Sequence, residues 1–473
     1  MYNRMKNGLC TLVVMMMVLQ VAAQPVSAKL STAFAAFEND AQLKSGLASL
    51  YVIDGTTGDV LFDKNSRIGL APASTQKIIT AATAYEILGT GFRYETKFGY
   101  FGSITNGQLN GGLYIKPSGD PTLGSWRWSS TKEDAVMKRL LSALQKAGIR
   151  SFIESVYDRR GWESEVIPGG WIWDDIGNWY GAGADALNWR ENQYDLILKS
   201  GNKIGDPVSV VGTKPQLYNY EIVSYVTSAA KGTGDRSYIY FPVRGNNGAV
   251  RGTIPVGEER FVISGAMPSA ANQFFATLHD TLARNGYPKE WNNTIVDQLS
   301  PATVPTSINY FHTEQSPSLD SIIFYFLKRS LNLYGEALAK TIALQKQKTA
   351  STENGAELIR NYWSEKSIGI DKTELNIEDG SGLSPQNRVT THAQVAVLQY
   401  AQKQPWFGGY YNALPEYNGM KLKSGTISGA KSFCGYHTAQ NGKKYIVSFI
   451  VNNYNGSSSA LVQKMYKVLD VLK

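Results

Sequence analysis

Near residue 100 the sequence changes texture, and near residue 306 it changes back. Between these points, strand-like pieces ("GGLYIKPSG", "RSYIYFPV", "RFVISG") alternate with Gly-rich turns, and seven of the ten tryptophans fall between Trp126 and Trp189. Before the change the pattern gives a helix over 32–42 and a β-hairpin around Asp54–Asp59 in "LASLYVIDGTTGDVLFDKN". A helix then opens at Ser74, runs to about Leu88 and stops at Gly89. After the change, helices are expected at Leu319–Leu327, Gly335–Lys348, Gly355–Ser367 and Thr391–Gln402. Strands at Lys421–Thr426 and Lys444–Asn452 then flank Phe433–Thr438 in an antiparallel sheet, and a last helix covers Ser458–Leu472. A chain of 473 residues is too long for one core. The two ends together predict one α/β (α+β) domain, an antiparallel sheet flanked by helices, built from 29–100 and 306–473. A β-rich accessory region of one or two subdomains, 101–305, interrupts it.

The first residues do not belong to that domain. Arg4 and Lys6 precede an apolar run, Leu9–Ala23, and the small-residue stretch Gln24–Ala28. This is the pattern of a signal peptide, 1–28. The run falls short of the ~20 apolar residues that a membrane span needs. The mature chain is therefore expected to be exported, to the periplasm or outer cell envelope, without a stable membrane anchor. Cys10 leaves with the leader and Cys434 remains alone, so no intramolecular disulfide forms. The net charge of +8 is spread without a dense Lys/Arg run. That excludes nucleic acid as a partner but tolerates an anionic polymer such as cell wall. His279, His312, His392 and His437 are scattered, and no His-Glu-x-x-His or cysteine pair is present, so neither a metal nor another cofactor is expected. Ser428 in "GTISG" lacks the Gly-x-Ser-x-Gly spacing of a nucleophile elbow.

Three short motifs carry chemistry. In "PASTQKIIT", Ser74 and Lys77 stand three apart on a helix and share a face. A lysine in the first turn faces the positive end of the helix dipole, at a cost of ~0.3–1 kcal/mol. A serine nucleophile needs a base, and a lysine serves as one only when neutral. Burial, nearby positive charge and the helix N-terminus all disfavour the ammonium form, so the unfavourable placement is a way to lower its pKa. An N-cap serine beside a solvated lysine would give the same four letters. In "FLKRSLNLYGEALAK", Ser330 and Asn332 would point about 200° apart on a continuous helix. They can face one site only if the helix breaks there. In "MKLKSGTISGAKS", Lys423 and Gly425 face one side of a strand, Ser424 and Thr426 the other. Glycine lets a ligand approach the backbone, and lysine with hydroxyls suits a carboxylate.

In this order the three motifs resemble those of the penicillin-recognising serine acyl-transferases, the superfamily of serine β-lactamases and penicillin-binding proteins. Ser74 and Ser330 are 256 residues apart, much further than in the small β-lactamases. That spacing, with "YIKPSGDPTL", "GWIWDDIGNWYGAGADALNWREN" and "EDGSGLSPQN", is similar to the class C low-molecular-mass penicillin-binding proteins, the D-alanyl-D-alanine carboxypeptidase/endopeptidase family. The resemblance covers the mature chain and implies a transpeptidase/β-lactamase-like catalytic domain. It implies that Ser74 attacks a D,D-peptide bond and forms an acyl-enzyme, with neutral Lys77 taking its proton. Ser330 would pass a proton to the leaving amine, and Asn332 would hold the substrate amide and Lys77. The backbone N–H groups of Ser74 and Thr426 would form the oxyanion hole. Lys423, Ser424, Gly425 and Thr426 would bind the terminal carboxylate, with Lys423 also supplying the positive field at Lys77. Asp175 and Tyr180 would read the amino end of a diaminopimelate side chain. The implied partners are peptidoglycan stem peptides, with β-lactams as inhibitors; the sequence fits a homodimer as well as a monomer. The family usually has Arg after Gly-Leu-Ser, whereas this chain has Pro385, with Arg388 as the nearest substitute. A serine β-lactamase on the same machinery and a catalytically silent cell-wall binding module are the alternatives.

Overall fold

The computed structural model describes residues 25–218, 220–243, 245–288, 291–297 and 307–473. Most of the expected signal peptide, 1–24, lies outside these residues, as does position 306 at the expected domain boundary. No helix among the described residues is long and apolar enough to cross a membrane.

The two ends of the chain meet in one antiparallel sheet. Its strands lie in the order Glu416–Tyr417, Met420–Ile427, Ala430–Thr438, Lys444–Asn452, Leu47–Asp54, Val60–Lys64. The seam between the ends is the pairing of Leu47–Asp54 with Lys444–Asn452, in register from Leu47↔Asn452 to Asp54↔Tyr445. Strand residues alternate faces, and here both faces are apolar. Leu50 and Val52, with Phe433, Val447 and Phe449, bury against the helices Val26–Glu38 and Ser458–Leu469. Tyr51 and Ile53, with Cys434, Tyr436 and Ile446, bury against a helical layer. That layer contains Lys77–Leu88, Leu319–Arg329, Asn332–Gln345, Thr352–Glu365 and Thr391–Ala401. The first helix begins and ends earlier than the 32–42 expected. Asp40 stops it by capping a new 3-10 turn, Ala41–Leu43, its Oδ1 accepting from the Gln42 N–H at 2.9 Å.

The central part of the chain folds into three further sheets around its own core. A five-stranded sheet has the order Asn292–Val296, Glu154–Asp158, Gln108–Lys116, Glu95–Thr105, Asn309–Gln315. Its strands Glu95–Thr105 and Asn309–Gln315, the outgoing and returning segments, pair antiparallel. Two three-stranded sheets follow, Phe261–Ala266 with Gln193–Lys199 and Ser209–Lys214, and Glu221–Ala229 with Asn247–Pro255 and Arg236–Tyr240. The tryptophan-rich stretch serves this packing in part: Trp189 is buried edge-on to Phe274, ring centres 5.1 Å apart. It also reaches the helical layer. Buried Lys340 on Asn332–Gln345 donates to the carbonyls of Glu165 and Ala184 at 3.0 and 2.9 Å.

Candidate active site

Ser74 does not cap a helix. Ala73–Gln76 is a 3-10 turn that runs into the α-helix Lys77–Leu88, and neither takes a side-chain cap. Ala73 enters the turn at φ 48°, a left-handed conformation that costs a non-glycine residue about 1–2 kcal/mol. Thr75 Oγ1 donates to the Pro72 carbonyl at 2.6 Å, so the Ser74 hydroxyl is left for other chemistry. Ser74 is half-buried and Lys77 fully buried.

Three oxygens surround Lys77 Nζ: Asn332 Oδ1 and the Ser381 carbonyl at 2.6 Å, and Ser74 Oγ at 2.9 Å. The amide orientation of Asn332 is set by its other end, where Nδ2 donates to the Tyr180 carbonyl at 2.7 Å. Two of the three oxygens are therefore carbonyls, which only accept. They use both N–H bonds of a neutral amine, leaving its lone pair toward Ser74 Oγ–H. Burial brings the Lys77 pKa down to about 7, while Asp379 and Glu336 oppose the shift. Burial, aided by Asp379, pushes the Glu336 carboxyl above its ordinary range, which weakens its opposition. The second cation that the sequence called for is present as Lys423. Burial first, and Lys77 second, hold Lys423 well below the usual lysine range. Burial is the leading cause of the lowering at both lysines.

The helix break expected between Ser330 and Asn332 is present. Leu319–Arg329 ends at Ser330 in the left-handed region, φ 57°, Leu331 is extended, and Asn332 begins the next helix. This turns Ser330 Oγ toward Lys423 Nζ, 2.9 Å away, while Asn332 Oδ1 meets Lys77. Lys423 Nζ also donates to the Ser424 carbonyl at 2.7 Å. Met420–Ile427 pairs with Glu416–Tyr417 only at its start, so beyond Lys421 that edge can take the Ser74 turn instead of a strand. Gly425 is required there. A Cβ would lie 2.4 Å from Ser432 Oγ, 2.6 Å from the Pro72 carbonyl and 2.9 Å from the Ser74 nitrogen. Ser424 is half-buried; Thr426 is exposed, its Oγ1 accepting from Lys431 Nζ at 2.6 Å.

Asp175 lies in the helical turn Trp173–Ile176 and Tyr180 in the 3-10 turn Trp179–Gly181, and Tyr180 joins the centre through its carbonyl on Asn332. Both are partly buried. Burial raises Asp175 to about 6 despite a hydrogen bond from Tyr180, and burial also raises the Tyr180 hydroxyl. Arg388 is exposed and turned back on its own loop, donating to the Pro385 and Asn387 carbonyls at 2.7 and 2.8 Å. The histidines sit elsewhere: His312 on Glu314, His392 on Glu374, His279 against Trp291 and His437 against Tyr445.

Sequence reasoning assigned no role to the loop Asp379–Asn387, although it quoted "EDGSGLSPQN". Three successive carbonyls of this loop receive the side chains of the Ser74 helix: Asp379 from Gln76 at 2.5 Å, Gly380 from Thr80 at 2.7 Å and Ser381 from Lys77. The loop is held by the Asp379 carboxylate, which accepts from the N–H groups of Gly382 and Ser384, Asn387 Nδ2, Trp171 Nε1 and Gln76 Nε2. An acid before Gly-Ser-Gly in a loop was the available signal. Lys431 and Glu336 were likewise missed; one lies outside the motif and the other reads as ordinary helix.

Residues 28–416 match the D-Ala-D-Ala carboxypeptidase 3 (S13) family. Among curated relatives, a D-alanyl-D-alanine carboxypeptidase of Actinomadura sp. (strain R39) is 25% identical, over 90% of this chain and 81% of its own. The D-alanyl-D-alanine carboxypeptidase DacB of Haemophilus influenzae is 24% identical, over 84% of this chain and 83% of its own. The crystal structure of penicillin binding protein 4 (dacB) from Haemophilus influenzae shares the fold, with a TM-score of 0.78 at 21% identity, covering 94% of this chain and 99% of that one. A second crystal structure of that protein, complexed with a β-lactam, gives a TM-score of 0.73 at 20% identity over 93% and 98% of the two chains.

Proposed function

The chain belongs to the D-Ala-D-Ala carboxypeptidase 3 (S13) family, and on that premise we propose that it cleaves D-Ala-D-Ala bonds of peptidoglycan stem peptides through an acyl-enzyme on Ser74. The observation that carries this reading is the triangle around Lys77 Nζ, in which two carbonyls consume its N–H bonds and Ser74 Oγ takes the remaining direction. Ser74 Oγ gives its proton to the Lys77 lone pair and attacks the scissile carbonyl carbon. The developing oxyanion lies between the backbone N–H groups of Ser74 and Thr426, each such donor being worth about 3 kcal/mol. The C–N bond then breaks, and the leaving amine takes a proton from Ser330 Oγ, which is replenished from the buried lysine pair. A water, losing its proton to Lys77, attacks the ester carbonyl, and as the C–O bond breaks Lys77 returns that proton to Ser74 Oγ, regenerating the hydroxyl and the neutral amine. Lys423 and the Ser424 and Thr426 hydroxyls receive the terminal carboxylate, and Lys431 adds a cation beside Thr426. A β-lactam follows the first half of this path, as expected for a fold shared with a protein crystallised with one.

The reading includes a signal peptide over 1–28, export to the periplasm, and division into a catalytic unit, 29–100 with 306–473, and an accessory unit, 101–305, whose five-stranded sheet also takes in the strands Glu95–Thr105 and Asn309–Gln315 at the two boundaries. Incubation of the mature protein with benzylpenicillin, followed by digestion and mass analysis, tests the central step. The penicilloyl mass should sit on the peptide containing Ser74, and a defined muropeptide should lose its terminal D-Ala. Label on any other serine would refute the assignment. Rapid turnover of a chromogenic cephalosporin with little trapped ester would favour the β-lactamase alternative.

Asp175 is assigned to the ammonium of a diaminopimelate side chain. Asp175→Asn is expected to raise KM about 10-fold for a peptide bearing a free side-chain amine, the usual worth of one charge-assisted hydrogen bond. The N-acetylated analogue should be unaffected. Because the Asp175 pKa is raised to about 6, the preference of the wild type for the free amine should fade below that pH.

A further inference from the structure

One face of the sheet Glu221–Ala229, Asn247–Pro255, Arg236–Tyr240 is aromatic and open. Its other face supplies Val226, Val250, Ile254 and Ile239 to the core. The register places Tyr225, Arg251 and Tyr238 in one row across the three strands, with Tyr240 in the next. Tyr225 is 62% and Tyr238 47% exposed. The Arg251 guanidinium lies 5.5 Å from the Tyr225 ring and 5.8 Å from the Tyr240 ring. Trp173, 52% exposed, extends the surface, its ring 6.1 Å from that of Tyr240. Solvent-facing strand positions are ordinarily polar, so grouped rings on such a face need a reason.

This surface is joined to the catalytic centre. Asn178 Oδ1 accepts from the Ile239 N–H at 3.1 Å, and the Tyr240 hydroxyl donates to Asp174. Gly177 lies against the same strand so closely that a Cβ would meet the Ile239 carbonyl at 1.9 Å. Two residues after Asn178, the Tyr180 carbonyl receives Asn332, which holds Lys77. The strand at the platform's edge and the wall of the active site are thus two sides of one short segment.

We propose that this face, with Trp173 at its margin, binds the polysaccharide strand that bears the peptide substrate, a polymer of N-acetylated pyranose sugars. The proposal rests on the D,D-peptidase reading. The scissile bond then lies on a short stem whose other end is fixed to a sugar, and each extended residue spans only ~3.3–3.6 Å. A platform built onto the active-site wall is where the strand would pass. The chemistry suits it. The C–H bonds on a pyranose face carry slight positive charge and pack on the negative face of an aromatic ring. The Arg251 fork, held against two rings, donates to acetamido and ring oxygens. A protein partner would also use Tyr, Trp and Arg, but as anchors in well-packed, fully desolvated pockets. This face is a sheet surface on which Tyr225, Tyr238 and Arg251 stand exposed, and its aliphatic side chains are Val223, Ala229, Ala249 and Pro255.

The test compares the mature wild type with a Tyr225→Ser/Arg251→Ser/Tyr238→Ser variant in four assays. These are co-sedimentation with peptide-stripped glycan strands, hydrolysis of intact sacculi, hydrolysis of a sugar-free pentapeptide, and penicillin labelling of Ser74. Loss of about three contacts should cut glycan co-sedimentation and sacculus hydrolysis about 10-fold or more, with peptide hydrolysis and labelling within two-fold of wild type. Tyr225→Trp should retain glycan binding. Unchanged co-sedimentation overturns the proposal, as does a defect seen only in capture of a protein partner. Should the triple variant misfold, the single Tyr225→Ser replacement of this exposed ring gives the same comparison. A wild type that neither labels nor cleaves the free peptide would instead sink the D,D-peptidase reading, and it would do so without reference to any variant.

Discussion

Lys77→Arg is expected to abolish acylation by penicillin on any practical time scale, a loss of about 10⁴-fold, the upper range for removal of a general base. The substitution keeps a cation at the helix start and removes the ability to be neutral, because a guanidinium does not deprotonate in a protein. If Lys77 served only to attract an anionic substrate, the variant would remain active. If it is the base, Ser74 keeps its proton. In the wild type, the acylation rate should rise tenfold per pH unit below neutrality and level off above about pH 7, where the buried amine has lost its proton. The sign for stability follows from the same shift. The folded pKa of Lys77 lies below the ordinary 10.5, so between about 7 and 10.5 the unfolded chain binds the extra proton. Stability from this residue therefore increases as pH rises through that window and is lowest below pH 7. Stopped-flow acylation from pH 5 to 9 measures the first effect. A flat profile, or an arginine variant within tenfold of wild type, would contradict the assignment of the base.

What could be read from the sequence was what is local and periodic. The strands near 421–427 and 444–452 and the helix after Ser74 followed from two-residue and 3.6-residue repeats and from Gly89 as a stop. The break between Ser330 and Asn332 followed from the shared site that the motif resemblance implies, since on one continuous helix their directions cannot meet. The nature of the Ser74 turn could not be read. It is a 3-10 turn because the Gly425 strand and the Gly380–Gly382 loop press on it from two sides, and both lie more than 300 residues away. That burial would be the leading cause of the Lys77 shift could not be read for a related reason. Burial is a property of the assembled layers, in which Phe326, from a helix 250 residues later, closes over the amine with its ring centre 6.0 Å from Nζ. The platform around Arg251 had no motif to announce it, because its row is set by strand register.

Asp379→Asn should be the most damaging change that touches no reacting atom. The two oxygens of Asp379 divide five N–H donors: Oδ1 takes Gln76, Gly382 and Asn387, and Oδ2 takes Trp171 and Ser384. Asparagine has the same shape, but one of its two terminal atoms must carry hydrogens. Whichever way it turns, at least two buried donors then face another donor. With a cost of 1–3 kcal/mol for each buried group left unpaired, the loss of stability is about 3–5 kcal/mol. It should appear as a clearly lowered melting temperature. The activity effect is separate in origin. The carboxylate fixes the loop whose Ser381 carbonyl takes one N–H of Lys77, and a shift of about 1 Å in a positioned group can cost about 100-fold in rate. Acylation of the folded variant should slow by about that factor and still rise with pH, but level off below pH 7, because the carboxylate that opposes the lowering of the Lys77 pKa is gone. Asn387→Ala removes one donor from the same carboxylate, together with the acceptor of the Glu378 N–H and the donor to the Ser384 carbonyl, so it should also melt below the wild type, while the four remaining donors on Asp379 keep acylation nearly normal. An Asp379→Asn enzyme that melts and acylates like the wild type would mean that Lys77 is held by the helix alone and that the loop is a bystander.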